Sequence, residues 1–338
     1  MNKTSILYIG NNLSKTTKYI TTIDSLSKLL RLEGFLVYTS SKKKSKLLRL
    51  IDMCFSVIKL KNKIDYILID TYSTSSFIYA YCVSQLARLF KIKYIPILHG
   101  GNLPERLKKN PKICSHIFNY SYSNVTPSNY LKHEFTLKGI ETILIPNSIE
   151  IENYHYKERT TIEPNLLFVR ALAEIYNPKM AIQVLSLLKE KYTNAKLCFI
   201  GPDKDGSLEI VKNYAIEKGV ISSVEFTGVL TKSEWHKKAE DFDIFINTTN
   251  IDNTPVSIIE AMALGLPIVS TNVGGLPYLI DQNVNGILVE KGNASQMCIA
   301  IGGILNGEHR VMAKNARKKA ELLQWQLIKE KWIKVLQK

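Results

Sequence analysis

Asp252 and Glu260 are carboxylates spaced eight residues apart, on a polar loop and on the helix expected after it. Backbone N–H groups at the start of a helix are free to hold phosphate, because they lack partners within the helix. A carboxylate one turn into that helix can accept hydrogen bonds from a ribose diol, and a loop carboxylate can reach sugar hydroxyls. The spacing also fits a purely structural role, in which Ser257 caps the helix, Glu260 occupies the capping-box position and Asp252 shapes a turn.

Three more residues follow the ends of expected strands. His99 comes after Tyr94–Leu98 and precedes two glycines, which allow a backbone to approach a ligand closely. Arg170 comes after another strand, where a fixed cation can stabilise a phosphate leaving group. Gly10 follows the first strand. A single histidine is more often structural, and an arginine often forms only an ion pair, so these residues by themselves leave both roles open.

Short β-rich runs alternate with helical patterns along the whole chain, which indicates βαβ units and parallel sheets. Twelve strands are too many for one ordinary sheet, so two doubly wound, Rossmann-like sheets are expected. Ligands bind beyond the carboxyl ends of such strands, and two facing sheets would form a cleft. The expected strands are Ile6–Ile9, Phe35–Thr39, Tyr66–Asp70, Tyr94–Leu98, Asn124–Thr126, Ile143–Ile145, Leu166–Val169, Lys196–Ile200, Val224–Thr227, Ile244–Asn247, Ile268–Ser270 and Gly286–Val289.

The charge is divided unevenly between two expected domains, 1–150 and 151–324, which are followed by an amphipathic helix over 325–338. Residues 1–150 hold 22 Lys+Arg and 9 Asp+Glu, a net +13. Residues 151–338 hold the other 23 and 21, a net +2. This asymmetry indicates an anionic partner for the first half, namely a membrane surface, a nucleic acid or a phosphorylated substrate; the alternative is a basic surface that only keeps the protein soluble.

Several protein classes are disfavoured by missing motifs. The sequence has no G-x-G-x-x-G, no P-loop and no G-x-S-x-G, which argues against dehydrogenases, P-loop NTPases and serine hydrolases. Five widely spaced cysteines without a C-x-x-C favour free thiols in a reducing cytoplasm. Two Asp-x-Asp pairs, at 203–205 and 241–243, are too common a pattern to predict a metal site. Since the chain also lacks a secretory signal and a long apolar run, we expect a soluble protein.

The region from 244 to 289 resembles the E-x7-E region of the retaining GT-B glycosyltransferases of family 4, and the resemblance extends over nearly the whole chain. The matching stretches are Asp252-x7-Glu260, Ala261–Val269, Val273–Gly275, Asn285–Val289, Thr126–Ser128 and Ile145–Asn147. The resemblance implies two Rossmann-like domains. Residues 1–150, with helix 325–338 packed back on them, would bind the acceptor. Residues 151–324 would bind the nucleotide sugar.

The resemblance also implies roles for individual residues. Glu260 would bind the ribose and Asp252 the transferred sugar, although the family usually has the longer Glu at the Asp252 position. The backbone from Asn253 through Thr254, Pro255 and Val256 to Ser257 would line the sugar and the diphosphate.

Four further residues take roles by the same resemblance. Arg170 would hold the diphosphate, and Lys179 would replace a family lysine that is absent here. His99 would contact the transferred sugar near the reacting centre, and the loop at Gly10 would approach the diphosphate. No metal and no cofactor is expected.

The implied activity is that of a retaining hexosyltransferase in polysaccharide biosynthesis. It would move a sugar from a nucleotide-diphosphate sugar to a hydroxyl of a glycan or lipid-linked acceptor by a front-face mechanism. The protein would be cytoplasmic, and its basic half would dock peripherally on the inner face of the plasma membrane; no nucleic-acid partner is expected. Two alternatives stay open: a nucleotide-sugar epimerase, for which Glu105 is the nearest extra carboxylate, and a non-enzymatic nucleic-acid-binding protein.

Overall fold

The computed structural model describes residues 3–12, 21–43 and 45–337. The chain divides into two compact units. The first comprises Met1–Pro146 together with Gln326–Lys338, and the second comprises Asn147–Trp325. Each unit is built on its own sheet.

The first unit contains a six-stranded sheet in the order β2-β1-β3-β4-β5-β6, in which every paired neighbour is parallel. The order reverses between β1 and β3. The elements are β1 Ser5–Ile9, α1 Thr22–Leu32, β2 Leu36–Ser40, α2 Lys46–Leu60, β3 Tyr66–Thr71, α3 Phe77–Leu89, β4 Lys93–Leu98, α4 Leu103–Lys109, α5 Pro111–Phe118, β5 Val125–Thr126, α6 Asn129–Thr136 and β6 Ile143–Leu144.

Burial explains why the central strands of this sheet have continuous apolar sequences. All five residues of β1 and all six of β3 are buried, as parallel strands covered by helices on both faces must be. On α3, Ala80, Val83 and Ala87 recur at helical spacing and are fully buried in the same core. Ile9 is in register with both Ser40 and Ile69, so β1, β2 and β3 end at one edge of the sheet.

The second unit has a six-stranded parallel sheet in the order β12-β11-β10-β7-β8-β9, which reverses between β7 and β10. Its elements are β7 Asn165–Val169, α7 Pro178–Lys189, β8 Lys196–Ile200, α8 Ser207–Glu217, β9 Val224–Gly228, α9 Lys232–Lys238, β10 Ile244–Asn247, α10 Val256–Ala263, β11 Ile268–Thr271, α11 Leu276–Leu279, β12 Ile287–Val289, α12 Ala294–Gly303 and α13 His309–Glu321. The final helix, α14, spans Trp325–Leu336.

The twelve expected strands are all present, and the prediction of an α/β protein with two doubly wound parallel sheets is confirmed. Helix α1 begins at Thr22, and residues 13–20 before it lie outside the described residues. The basic run at 42–44 lies before α2, where Ser45 is the N-cap; Lys44 is outside the described residues.

Candidate active site

The reversal of strand order between β7 and β10 marks the centre of the second unit's site. In open α/β sheets, a ligand binds outside the carboxyl ends of the strands at such a reversal. Arg170 is the first residue after β7, and its N–H donates to the carbonyl of Ile200 at the end of β8. The loop after β10 carries Asp252. The topology therefore brings two of the predicted site residues to one place.

Arg170 and Asp252 form an ion pair across this reversal. Arg170 Nη2 lies 2.6 Å from Asp252 Oδ2, and the guanidinium stacks 4.4 Å above the ring centre of Tyr176. The N–H of Asn253 donates to the other oxygen of Asp252 at 2.9 Å. Burial acts to lower the pKa of Arg170, but the neighbouring Asp252 carboxylate outweighs it and raises that pKa. The guanidinium thus stays positively charged, with the Asp252 carboxylate as its partner.

One donor of this arginine has no partner. Arg170 Nε is buried and makes no hydrogen bond within the described residues. A buried N–H without an acceptor is costly, and a charged one more so. An anion that enters beside Arg170 would supply the missing acceptor.

The loop after β10 is held rigidly against the loop after β7. Thr248 Oγ1 donates to the carbonyls of Tyr176 and Asn177, at 3.0 and 2.8 Å. The N–H of Asn250 donates to the carbonyl of Ile175 at 2.8 Å. These bonds fix Tyr176 beneath Arg170 and leave the loop little freedom, so the ion pair rests on an ordered backbone.

Gly274 and Gly275 support the same loop from the other side. The N–H of Gly275 donates to the carbonyl of Asp252 at 3.2 Å. A Cβ on either glycine would collide with the backbone carbonyl of Asp252 or Asn253, and Gly274 also has φ +52°. The two glycines are therefore required for close packing of two backbone segments.

Glu260 does not cap its own helix, and the expected capping box is wrong. α10 begins at Val256, the N-cap is Pro255, and no side chain caps it. Proline has a fixed φ and sits here in an extended conformation, so the chain enters the helix two residues before Ser257 could cap it. Ser257 lies in the first turn, and Glu260 lies inside the helix, 5% exposed.

The Glu260 carboxylate is instead bound by two residues that are distant in sequence. Tyr154 Oη donates to Glu260 Oε1 at 2.7 Å, and Lys232 Nζ lies 2.7 Å from the same oxygen. A buried charge needs such partners to offset its lost hydration. Burial, followed by the charge of Glu260, raises the pKa of Tyr154, so its hydroxyl stays a donor.

His236 lies beside this carboxylate. Its ring is 4.6 Å from that of Tyr154 and 4.6 Å from that of Trp235, centre to centre. Burial lowers the pKa of His236, against the opposing effect of Glu260. Its Nε2 is buried and has no hydrogen-bond partner within the described part of the chain.

The contacts of the other residues predicted to bind the nucleotide sugar define their roles less well. Asn253 is buried beside Asp252, and the carbonyl of Thr254 accepts from Asn147 Nδ2 at 2.9 Å. Lys179 Nζ lies 4.3 Å above the ring centre of Tyr214. The contacts of this lysine do not join it to the Arg170–Asp252 pair, so its role at the diphosphate stays a prediction.

In the first unit, the reversal between β1 and β3 brings together Gly10, Asp70 and His99. Asp70 Oδ1 accepts from Tyr8 Oη at 2.8 Å and lies 2.8 Å from His99 Nε2. The His99 ring stacks on Tyr72, with centres 5.4 Å apart. A Cβ on Gly10 would collide with Asp70 Oδ2, so this glycine makes room for a protein carboxylate. When His99 donates from Nε2, its neutral ring presents Nδ1 as an acceptor.

Other acidic residues lie away from these groups. Glu105 is partly exposed and pairs with Lys109 at 3.3 Å, so it forms no buried acid–base pair with a second carboxylate. Asp203 accepts from the N–H of Gly206, and Asp205 accepts from the hydroxyl of Ser207 at 2.6 Å.

Across residues 3–12, 21–43 and 45–337, no three His, Cys, Asp or Glu side chains cluster as metal ligands. No helix in the same ranges is long and apolar enough to cross a bilayer.

Comparison with known proteins identifies the family. The family model described as glycosyl transferases group 1 matches residues 151–320, half of the chain. The chain belongs to the group 1 glycosyltransferases. The match covers the part of the chain in which Arg170, Asp252 and Glu260 lie.

Two bacterial relatives are 28% identical to this group 1 glycosyltransferase over part of its length. One is the amylovoran biosynthesis glycosyltransferase AmsK of Erwinia amylovora, matched over 69% of this chain and 61% of AmsK. The other is the putative colanic acid biosynthesis glycosyltransferase WcaL of Escherichia coli, matched over 46% of this chain and 40% of WcaL. The matches thus span less than two thirds of either relative.

Solved structures share the fold of this group 1 glycosyltransferase. Sucrose-phosphate synthase from Thermosynechococcus elongatus has a TM-score of 0.85, 15% identity and coverage of 99% of this chain and 98% of its own. HepE of Anabaena, solved in complex with UDP and glucose, has a TM-score of 0.78, 15% identity and coverage of 99% of both chains. These similarities establish the GT-B fold.

Proposed function

We propose that this protein is a retaining hexosyltransferase that transfers a sugar from a nucleotide-diphosphate sugar to a hydroxyl of a glycan or lipid-linked acceptor. The observation that supports it most is the Arg170–Asp252 pair at the strand reversal of the second unit, 2.6 Å apart, with an unpartnered Arg170 Nε. Glu260 lies eight residues further along the chain, on the helix that follows the same loop. A cation and two carboxylates are the groups that a diphosphate, a sugar and a ribose require.

In this proposal, Arg170 binds the diphosphate and stabilises the negative charge that grows as the glycosidic bond breaks. A phosphate oxygen replaces Asp252 as the acceptor of the hydrogen bond from Arg170 Nη2. The carboxylate of Asp252 then accepts hydrogen bonds from the sugar hydroxyls. Glu260 binds the ribose. Within the described residues both hydrogen bonds to Glu260 reach Oε1, so Oε2 is the oxygen left for the diol.

The proposed chemistry is front-face displacement without a metal. The leaving phosphate oxygen takes the proton of the acceptor hydroxyl as the new bond forms on the face that the leaving group vacates. Asp252, the carboxylate beside the site, is already paired with Arg170, which makes it a poor covalent nucleophile. A positioned guanidinium supplies the electrostatic stabilisation that a divalent cation provides in other transferases. His99 would contact the transferred sugar near the acceptor.

The acceptor and location follow from charge and from the relatives. The names of AmsK and WcaL refer to amylovoran and colanic acid biosynthesis, which supports a role in polysaccharide assembly. The net charge of +13 on residues 1–150 supports peripheral docking on the anionic inner face of the plasma membrane, where a lipid-linked acceptor would be met.

A thermal-shift panel with UDP, GDP, ADP and CMP, each with and without EDTA, tests the donor site. Ligand at 100 times its dissociation constant stabilises the folded state by about 2.7 kcal/mol. For a unit of this size, that corresponds to a rise in Tm of about 5–10 °C. We expect one nucleoside diphosphate to give this shift, with EDTA making no difference.

The panel is repeated on Glu260→Ala and on a matched control, Glu217→Gln, whose carboxylate is largely exposed on α8. Glu260→Ala should lose the shift and the control should keep it. A shift retained in Glu260→Ala, or none in the wild type, would contradict the assigned donor site. Loss of the shift with EDTA would contradict metal independence.

Retention is tested on the product itself. With the donor that the panel selects, the anomeric proton coupling of the product is compared by NMR with that of the donor. The same configuration supports the front-face route, and the inverted one excludes it. Conversion of the nucleotide sugar without any acceptor would instead indicate epimerisation.

A further inference from the structure

Helix α2 carries a row of large apolar side chains that point into solvent. Their relative exposures are 67% for Leu47, 55% for Leu48, 55% for Ile51, 59% for Phe55 and 45% for Ile58. A single exposed apolar residue is ordinary on a protein surface, but a contiguous group of them usually marks an interaction site. We call these five residues the α2 face.

The α2 face is a second apolar surface on a helix that already buries another side. Arg49, Met53 and Val57 are buried, and Met53 and Val57 belong to the apolar core of the first unit. At about 100° per residue, the five members of the α2 face fall within an arc of about 100° on the opposite side. The apolar arc is therefore not needed to attach the helix to its own sheet.

Basic residues lie at both ends of the helix that carries this face. Residues 42–63 contain eight Lys+Arg and a single acidic residue, Asp52, which gives a net charge of +7. Lys43 and Lys46 are exposed at the start of α2, and Lys59 and Lys61 are exposed at its end. An apolar face bordered by lysines is the pattern of a helix that lies in the interface of an anionic membrane.

We propose that the α2 face docks this protein on an anionic lipid bilayer, with α2 in the membrane plane and its apolar side chains among the acyl chains. The proposal deepens the membrane docking given under the proposed function, and rests on it, by naming the surface that makes the contact. The neighbouring lysines bind lipid phosphates. The apolar contribution and the electrostatic contribution to membrane binding thus come from one helix and its ends.

The charge distribution selects this occupant over a second copy of the chain. Two copies joined through their α2 faces would bring two segments of charge +7 together. Like charges at a contact oppose association, whereas an anionic bilayer neutralises them. The same charge disfavours a basic protein partner.

The first test is vesicle flotation with phosphatidylcholine, alone and with phosphatidylglycerol. We expect binding to the anionic vesicles that weakens as salt rises. The double variant Ile51→Ser/Phe55→Ser should bind at least tenfold more weakly, which corresponds to about 1.4 kcal/mol. A matched control, Ile216→Ser/Val311→Ser, removes two side chains of the second unit that are 60% and 71% exposed and should bind as the wild type does.

A second measurement reports insertion directly. The three native tryptophans, Trp235, Trp325 and Trp332, are all about 4% exposed. Phe55→Trp therefore introduces the one solvent-facing indole, and its emission should shift to the blue on anionic vesicles. No blue shift, or equal binding by wild type and Ile51→Ser/Phe55→Ser, would overturn the proposal.

Two readouts separate the failures. The nucleotide-induced thermal shift is measured on every variant, and it should be unchanged by Ile51→Ser/Phe55→Ser because the donor site lies in the other unit. If the wild type shows no nucleotide-induced shift, the proposed function is contradicted, and the lipid result is unaffected. A concentration-dependent dimer that the double variant abolishes, with no vesicle binding, would overturn the lipid proposal in favour of self-association.

Discussion

The two sheets each reverse their strand order once, yet the residues at the two reversals differ. In the second unit, Arg170 and Asp252 face each other across β7 and β10 as an ion pair of 2.6 Å. In the first unit, the carboxylate of Asp70 is bound by the Tyr8 hydroxyl and by the His99 ring, each at 2.8 Å. The topology fixes where a ligand is received, and the residues at the strand ends decide what is offered there.

The second unit's residues are suited to bind a charged ligand, whereas Asp70 in the first unit is suited to orient the His99 side chain. A guanidinium can exchange one anion for another, so the Arg170–Asp252 pair suits a charged ligand. Asp70 uses its hydrogen bonds to orient the His99 ring. Changes in the second unit should therefore affect donor binding and stabilisation of the leaving group. Changes in the first unit should affect turnover and leave nucleotide binding intact.

The largest effect is expected from Arg170→Met, which removes the positive charge at the strand reversal of the second unit. Loss of one group that stabilises developing charge lowers kcat by about 10²–10³. The free energy of unfolding should also fall by about 3–5 kcal/mol, because Asp252 stays buried without its partner. Steady-state kinetics and denaturant unfolding measure the two losses.

A double variant, Arg170→Met/Asp252→Leu, separates folding from function. Removal of both charges should restore most of the stability, because no buried charge is left unpaired. Activity should stay lost. Normal turnover in Arg170→Met would show that this arginine is only half of a structural ion pair.

The next effect is expected from Glu260→Gln. The amide keeps the shape of the side chain but loses the charge that binds a diol. Nucleotide affinity should fall about tenfold to a hundredfold, since a hydrogen bond to a charged group contributes about 1.5–3 kcal/mol. Titration calorimetry measures this, with Glu217→Gln as the control. Equal affinities would leave Glu260 as a structural partner of Tyr154 and Lys232 alone.

The strands and the strand-end residues were accessible from sequence because the hydrophobic runs mark the strands. Once the strands are fixed, Arg170 and the loop with Asp252 follow from the rule that parallel strands end at one edge. Asp70 is the last residue of an expected strand in the same way. Its partners, Tyr8 and His99, are 62 and 29 residues away, so no local pattern marks it as a site residue.

The partners of Glu260 were not accessible from sequence. Tyr154 and Lys232 are 106 and 28 residues away, and no motif links either to α10. The expected cap at Ser257 was wrong because spacing alone does not show where a helix begins when proline precedes it. Side-chain partners over such separations depend on tertiary packing, which a local pattern does not encode.

In the first unit, Asp70→Asn tests whether orientation is what Asp70 supplies. The amide can present its N–H₂ to His99 and so favour the opposite tautomer. A misplaced group at a reacting centre can cost about a hundredfold in rate, so kcat should fall by up to about that factor. The dissociation constant of the nucleotide should not change. A loss of nucleotide affinity instead would erase the distinction between the two reversals.

The smallest effect is expected from Tyr8→Phe, which removes one hydrogen bond to Asp70 and keeps the one to His99. Burial and the charge of Asp70 both raise the pKa of Tyr8, so its hydroxyl is a donor at any ordinary pH. Its removal leaves a buried acceptor short of one bond, and the free energy of unfolding should fall by about 1–3 kcal/mol. The fall in kcat should be smaller than in Asp70→Asn, because His99 keeps its partner. If Tyr8→Phe and Asp70→Asn lower kcat equally, the Tyr8 hydroxyl and the His99 ring depend on one another through Asp70, and the first unit works as a single three-residue network.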